Sequence, residues 1–411
     1  MNSTRGGFSF NTFVSECFGV TGMTENVVVL GAGYAGAGAV NTLQSELDDD
    51  ARLTWIADVD YHLVLHESHR VIRDPDVQSD ITIPVEEIAA PSTRFVEDEV
   101  TGLDTDEQVV ELADGEDVDY DYVLVALGSQ TAYYGIPGLE DHSLTLKSLD
   151  DALEIHEAVT EASREATRGD PAQIVIGGAG LSGIQTAGEI AEFRDRHRAP
   201  LEIHLVEALE EIFPGNDPEI QQALRDLLQD AGVQIHTDDP ITEADDDVIH
   251  FDEGEPLSHD VLVWTGGITG RDALETADLE KEHNRVNTGA NFQTSDERVF
   301  AIGDSAIVDQ GDRPAPPTAQ AAWQAADVAA ENITRAIQNR PLKTWEHEDK
   351  GTVVSVGDKA VAHGVKPAFG LALPVDTFGG VPAKHLKKAI AARWIADVSS
   401  MNRARKAWPS L

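Results

Sequence analysis

The sequence predicts an α/β protein in which one βαβ unit is used twice, one copy inserted into the other, with a small C-terminal region of different character. Three observations carry this expectation. Two stretches, NVVVLGAGYAGAGAVNTL and AQIVIGGAGLSGIQTAGEIAE, each run as an apolar strand, a glycine-rich loop and a helix of small residues. Each is followed by a hairpin pattern and another apolar strand ending in glycine: VVELADGEDVDYDYVLVALGS, then VIHFDEGEPLSHDVLVWTGG. The charge also reverses near the end. The formal net charge is -44, yet residues 351–411 hold nine Lys or Arg against three Asp.

Taken in chain order, residues 1–23 read as a loose extension: MNSTRGGFSFNTFVSECFGVTG shows neither a basic start with a clean apolar run nor a twin-arginine signal, and Met23 can serve as a start. The single cysteine, Cys17, lies there, so no intramolecular disulfide or CxxC pair can form. At 411 residues and 41% hydrophobic content, the chain can bury a large core split over two or three domains. The acids are spread throughout. That fits a surface adapted to molar salt, where screening contracts to about 3 Å, and argues against a nucleic-acid partner. No run reaches the roughly 18 apolar residues of a membrane-spanning helix.

The first unit places Gly31, Gly33 and Gly36 after the opening strand, with Ala35 beside the third glycine. In such a loop the first glycine makes the tight turn and the second admits a pyrophosphate. The third lets helix and strand close together, so that the helix N-terminus faces the phosphates. An acid that holds a ribose is expected at the end of the next strand; RLTWIADVDYHL has Ala57 there and Asp58 one residue on. A hairpin around Asp114 and Gly115 leads to a strand ending at Gly128. The second unit repeats the pattern with Gly178, Gly180 and Gly183, Leu181 and Ser182 opening its helix, and a last strand ending at Gly267. LEIHLVEALEEIF supplies Glu207 at the ribose position, where a carboxylate repels a 2'-phosphate and favours NADH over NADPH. Two Rossmann-like three-layer units thus imply two dinucleotides.

Over residues 25–411 the chain resembles the type II NADH dehydrogenases, among the two-dinucleotide flavoprotein reductases. The resemblance rests on GAGYAG, ALGSQTAYYGIPGLEDHSLTLKSLDDA, IVIGGAGLSGIQTAGEIAE, RVFAIGDSA, PAPPTAQAAWQAADVAAENI and GTVVSVGDKAVA. It implies FAD in the first unit, NADH in the second, and a quinone reduced at the cytoplasmic face of a membrane by a peripheral protein, which can form a homodimer. The hydride would pass from NADH to the flavin and two electrons on to the quinone, without proton pumping. By the same resemblance Asp304 contacts FAD, backbone near Ala319 and Gln320 faces the flavin ring, and Gln320 with Gln324 lines the quinone side. Gln185 stands where the family has a Glu beside the reacting rings; an amide cannot carry a proton, and Glu189 lies one turn on. His62, His66, His69 and Glu67 are expected at the flavin edge or on an exposed polar helix rather than around a metal.

These features divide the chain into a FAD-binding domain (24–145 and 265–345), an inserted NADH-binding domain (146–264) and a membrane-associating region (346–411). The lack of a cysteine pair argues against disulfide and sulfide-quinone reductases. Two other readings stay open: a soluble reductase of an iron-sulfur protein or of oxygen, and a redox sensor that turns over poorly. In PAKHLKKAIAARW, Leu386, Ala389, Ile390 and Trp394 can share one face with Lys384, Lys387, Lys388 and Arg393 around it, the pattern of an interfacial helix. Removal of residues 382–411 should then spare reduction of the flavin by NADH.

Overall fold

The computed structural model describes residues 24–47, 51–366 and 375–411. The N-terminal extension and Cys17 lie outside them. Strands β1 (Glu25–Leu30), β2 (Ala51–Ala57), β3 (Arg94–Glu97) and β4 (Tyr122–Val125) enter one sheet. Val27 to Leu30 and Val123 to Val125 are fully buried, as strands covered on both faces require. Helix α1 (Tyr34–Glu46) follows β1, and the short α2 (His69–Arg73) is buried along its whole length.

The chain then leaves this sheet. After α3 (Leu149–Glu165) it builds β5 (Ala172–Gly177), α4 (Leu181–His197), β6 (Leu201–Val206), α5 (Pro218–Asp230), β7 (Val233–His236) and β8 (Val261–Trp264). These strands form a second parallel sheet, ordered β7-β6-β5-β8. The chain returns to the first sheet with β9 (Val299–Ala301), which completes the parallel order β9-β4-β1-β2-β3. Outgoing and returning segments pair at Gln130–Thr131 and Ile268–Thr269. Each unit also carries a three-stranded antiparallel meander, at residues 100–119 and 241–258. One α/β unit is therefore inserted into the other, as the repeated motifs imply.

Helix α6 (Ala319–Ile337) lies on α1 through an alanine stripe. A Cβ added to Gly38 would come within 2.8 Å of the Ala326 Cβ, so the small residues set a close helix approach. The C-terminal region adds an antiparallel sheet, β10 (Thr352–Val356), β11 (Lys359–His363) and β12 (Thr377–Gly379), then α7 (Val381–Val398) and α8 (Met401–Ala407). The sheet rests directly on α4, because Gly188 offers no side chain where Val356 and Gly357 pass, 2.6 Å from where its Cβ would be.

Helix α7 is turned differently from the face the sequence suggests. Its buried residues are Ala383, Lys387, Ala391, Trp394, Ile395 and Val398, while Ala389 and Ile390 face solvent. Trp394 fills the space above Gly38. Lys387 can enter the interior because Glu67 meets it there at 2.8 Å. An alanine-rich helix offers two apolar stripes, and a partner from distant sequence selects between them.

Candidate active site

The two glycine loops have matching geometry. Gly31 has φ +100, and a Cβ there would fall 2.4 Å from the Ala126 carbonyl oxygen. Gly178 has φ +90, with Gly266 Cα 2.6 Å from its notional Cβ. Gly36 and Gly183 approach the carbonyls of Gly31 and Gly178 so closely that a Cβ would sit 1.9 Å from each oxygen. At Gly33 and Gly180, by contrast, a Cβ would meet nothing within 4 Å. These two residues are the N-caps of α1 and α4; neither helix has a side-chain cap or an acid in its first turn. In a chain this rich in Asp and Glu, both N-termini thus keep free N–H groups and positive dipole ends for an anion.

Around the first loop three segments converge. Gly303 has φ +67, and a Cβ there would lie 3.1 Å from the Ala35 Cβ and 3.6 Å from the Ala322 Cβ. The loop, the turn that carries Asp304 and the N-terminus of α6 therefore surround one place. Asp304 accepts a hydrogen bond from Ser129 Oγ (3.2 Å), and its carbonyl accepts one from Arg285 Nε (2.8 Å). Gly128, at φ +72, accepts from Ser305 Oγ. Lys147 Nζ reaches Ser129 Oγ at 3.4 Å; burial lowers its pKa and nearby Asp304 opposes the shift. Sequence reasoning missed Lys147, although it stands in the TLKSLDDA stretch. Thr318 caps α6 through the Ala321 N–H, next to half-buried Ala319. Asp58 lies exposed just beyond β2.

In the second unit Glu207 is buried at the end of β6. Its carboxylate accepts from the Ala179 N–H inside the loop (2.8 Å) and from the Leu209 N–H (3.1 Å). It is therefore fixed with lone pairs to spare. Leu181 and Ser182 are exposed on the first turn of α4. Gly266 is the glycine packed on this loop; Gly267 instead lies under Tyr134, whose hydroxyl is 2.0 Å from where a Cβ would be. The pair GG is visible in the sequence, but which member packs on the loop depends on the turn after β8.

Gln185 and Glu189 project from α4 into a buried polar junction with α2 and the C-terminal region. Gln185 Nε2 lies 3.2 Å from Ser355 Oγ and 3.3 Å from His69 Nε2, and the latter two are 3.1 Å apart. Glu189 stands 3.1 Å from Arg73 Nη1 and 3.9 Å from Arg70 Nη1. Burial raises its pKa against the pull of Arg73 and Arg70. Glu67 bonds Arg70 and Lys387. Burial alone would raise the Glu67 pKa, yet Lys387 and Arg70 hold it well below the carboxylate range.

The histidines next to Glu67 point to separate partners: His62 to Ala32 and Trp394, His66 to Tyr34, His69 to Ser355. Among the described residues the donors of Asp217, Glu219 and His363 do lie within 4.8 Å of one another. Each already has work there: Asp217 caps the Glu219 N–H, and Thr377 Oγ1 binds both Glu219 and His363.

Gln320 and Gln324, expected on the quinone side, are both engaged with a neighbouring segment of the chain. Gln320 donates to the Gly351 carbonyl (3.2 Å) and accepts from the Lys350 N–H (2.9 Å); Gln324 does the same with Glu348, at 2.8 and 3.1 Å. Both amides strap residues 348–351 to α6. A segment outside any sheet leaves backbone groups to be paired and takes up such side chains readily.

Residues 25–326 match the family described as pyridine nucleotide-disulphide oxidoreductase, and the chain belongs to that family. It is 30% identical over 403 residues to the type II NADH:quinone oxidoreductase of Staphylococcus aureus (strain NCTC 8325 / PS 47), covering 93% of this chain and 98% of that one. Its identity to the protein of the same description from Staphylococcus saprophyticus is also 30%, over 404 residues, with the same coverage. Within the family it stands among the type II NADH:quinone oxidoreductases. The fold superposes on NDH2 from Plasmodium falciparum in complex with NADH, with a TM-score of 0.79 at 14% identity over 94% of this chain and 98% of that one. It also superposes on the sulfide:quinone oxidoreductase of Aquifex aeolicus, with a TM-score of 0.75 at 18% identity over 92% of each. The protein is an NADH-dependent flavoprotein oxidoreductase. FAD and NADH fit its two loops, since Gly33 and Gly180 leave open the side from which a pyrophosphate would approach.

Proposed function

We propose that the protein transfers electrons from NADH to a membrane quinone without pumping protons, with FAD on the loop Gly31–Gly36 and NADH on the loop Gly178–Gly183. The observation that carries the assignment of the two loops is their matched geometry together with the convergence of Ala35, Gly303 and Ala322 at the first loop only. When bound, the flavin supplies the two-electron chemistry. The chain supplies position and field. Asp304, ordered by Ser129, offers a carboxylate to the flavin's hydroxyls. The N-terminus of α6, with no acid in its first turn, favours negative charge at the edge it faces. Glu207 orients the second loop and takes the NADH ribose. Gln320 and Gln324 act on the quinone side by holding the 348–351 strap, and Gln185 positions His69 and Ser355.

Among the described residues no helix is long and apolar enough to cross a membrane. The protein attaches as a peripheral protein at the cytoplasmic surface; contact with a membrane is supported by the exposure of Val381, Ile390, Met401 and Trp408 in and next to the C-terminal helices, which also carry Lys388, Arg405 and Lys406. Lys388 also binds the Trp408 carbonyl (3.0 Å), which ties α7 to the end of α8. An exposed aromatic flanked by basic residues suits the headgroup layer.

Anaerobic mixing tests the reading. NADH should bleach the flavin, and a quinone should restore the oxidised spectrum faster than oxygen or an iron-sulfur protein does. Fast reoxidation by either of these with no response to quinone overturns it. Glu207→Gln should narrow the preference for NADH over NADPH by about tenfold in kcat/KM, the ratio that 1.4 kcal/mol represents. A wild type that uses both coenzymes equally contradicts the role of Glu207.

A further inference from the structure

Helix α7 reaches the first glycine loop through two side chains. Trp394, 1% exposed, points its indole Nε1 at His62 Nε2, 2.7 Å away. The other ring nitrogen of His62, Nδ1, lies 2.7 Å from the carbonyl oxygen of Ala32, between Gly31 and Gly33. An indole N–H can only donate and a carbonyl can only accept, so the proton of His62 sits on Nδ1 and Nε2 receives Trp394. Both nitrogens are used only in the neutral ring. Burial keeps it so, lowering the His62 pKa to about 4 against the opposing Ala32 bond.

The Ala32 carbonyl and the Gly33 N–H belong to one planar trans peptide, and point in opposite directions. A hydrogen bond that fixes the carbonyl toward His62 therefore fixes the Gly33 N–H away from it. The next residue is held from the same helix. Tyr34 packs on Trp394 with ring centroids 4.8 Å apart, and its hydroxyl bonds His66. Trp394 in turn is wedged against Trp323 of α6, also at 4.8 Å.

We propose that His62 and Trp394 are positioning residues of the FAD site: the chain indole–imidazole–carbonyl sets the Ala32–Gly33 peptide, so that flavin retention depends on how the C-terminal helix is seated. This rests on the reading that the loop Gly31–Gly36 holds FAD. It also gives the C-terminal region a role at the cofactor, separate from any contact with a membrane. Movement of α7 would reach the pyrophosphate loop through His62 and through the packing of Trp394 on Tyr34.

The test compares FAD dissociation constants, measured by flavin fluorescence on reconstituted protein, with melting temperatures. His62→Leu removes both bonds and should weaken FAD roughly tenfold, the scale of one lost buried hydrogen bond. Trp394→Phe keeps an aromatic ring without the donor and should weaken it severalfold. His62→Asn can place its amide N–H near the Nδ1 position, and should recover most of the affinity lost in His62→Leu. Val398→Ala, on the same buried face of α7 but outside the chain of bonds, should lower the melting temperature and leave the FAD constant unchanged. Gly33→Val separates the two readings. If Gly33→Val is colourless while His62→Leu binds FAD like the parent, or if Val398→Ala weakens FAD as much as Trp394→Phe, the positioning role is wrong. If Gly33→Val also binds FAD normally, the flavin is held elsewhere and the site reading falls first.

Discussion

Gly33 is defined by what does not surround it. A side chain there would meet no protein atom within 4 Å, and the backbone at φ -72 and ψ -171 suits any residue. Gly33→Val should therefore fold with a melting temperature within a few degrees of the parent, yet purify without flavin absorbance near 450 nm, because its methyl groups occupy the path of the pyrophosphate. Gly36→Val should fail differently. Its Cβ would strike the Gly31 carbonyl, so the loss falls on stability. His62 supplies a prediction in pH. Its pKa in the folded protein is about 4, below the ordinary 6.5. The folded state therefore binds fewer protons than the unfolded state between these values. Its contribution is fully present above about pH 6.5 and is lost as pH falls towards 4, by about 3 kcal/mol in all. Melting curves from pH 7 to 4 should fall more steeply for the parent than for His62→Asn; parallel slopes would show that His62 does not titrate in this window.

At the scale of elements, α7 is held to the rest of the molecule by an ion pair as well as by Trp394. Lys387 is buried against Glu67, and burial lowers its pKa while Glu67 opposes that shift. A buried pair adds little over an apolar substitute, but breaking one side leaves a charge uncompensated. Lys387→Met should cost roughly 3 kcal/mol. The double variant Glu67→Gln, Lys387→Met should cost less than the sum of the two single changes, by urea denaturation in a double-mutant cycle. Additive losses would mean that the pair is not coupled. The same packing changes what truncation does. Deleting residues 382–411 removes Trp394 and Lys387 together, so, if FAD sits on the loop Gly31–Gly36 as proposed, it is expected to strip support from that loop rather than spare reduction by NADH. Val381 and Trp408, which carry no such contacts, are the better places to examine vesicle binding; charged replacements there should release the protein from vesicles with its flavin still in place.

Across the whole molecule the net charge is -44; among the described residues only Glu67, Glu189 and Glu207 are buried acids, and the basic C-terminal segment partly offsets the total. Adaptation to high salt is a proposal, and it has a direct check. Thermal melts should shift upward by several degrees between about 0.1 M and 2 M KCl as the screening length falls from about 10 Å to below 3 Å. A melting temperature indifferent to salt would remove that reading. How much of this was legible beforehand depends on the range of the interactions concerned. The glycine loops, the strand that ends at Glu207 and the hairpin in each unit were readable from the sequence alone, because each is fixed by the conformational limits of residues a few positions apart; the third strand that makes each hairpin a meander was not. The facing of α7, the burial of Lys387, the strap held by Gln320 and Gln324 and the hydrogen bonds of His62 were not. Each of these needs a partner supplied by the tertiary structure. Glu67 is over three hundred residues from Lys387, and until the chain closes the lysine is as well served by water. Local geometry determined the two dinucleotide loops; desolvation, which only a finished interior imposes, decided which polar side chains turn inward and what they hold in place.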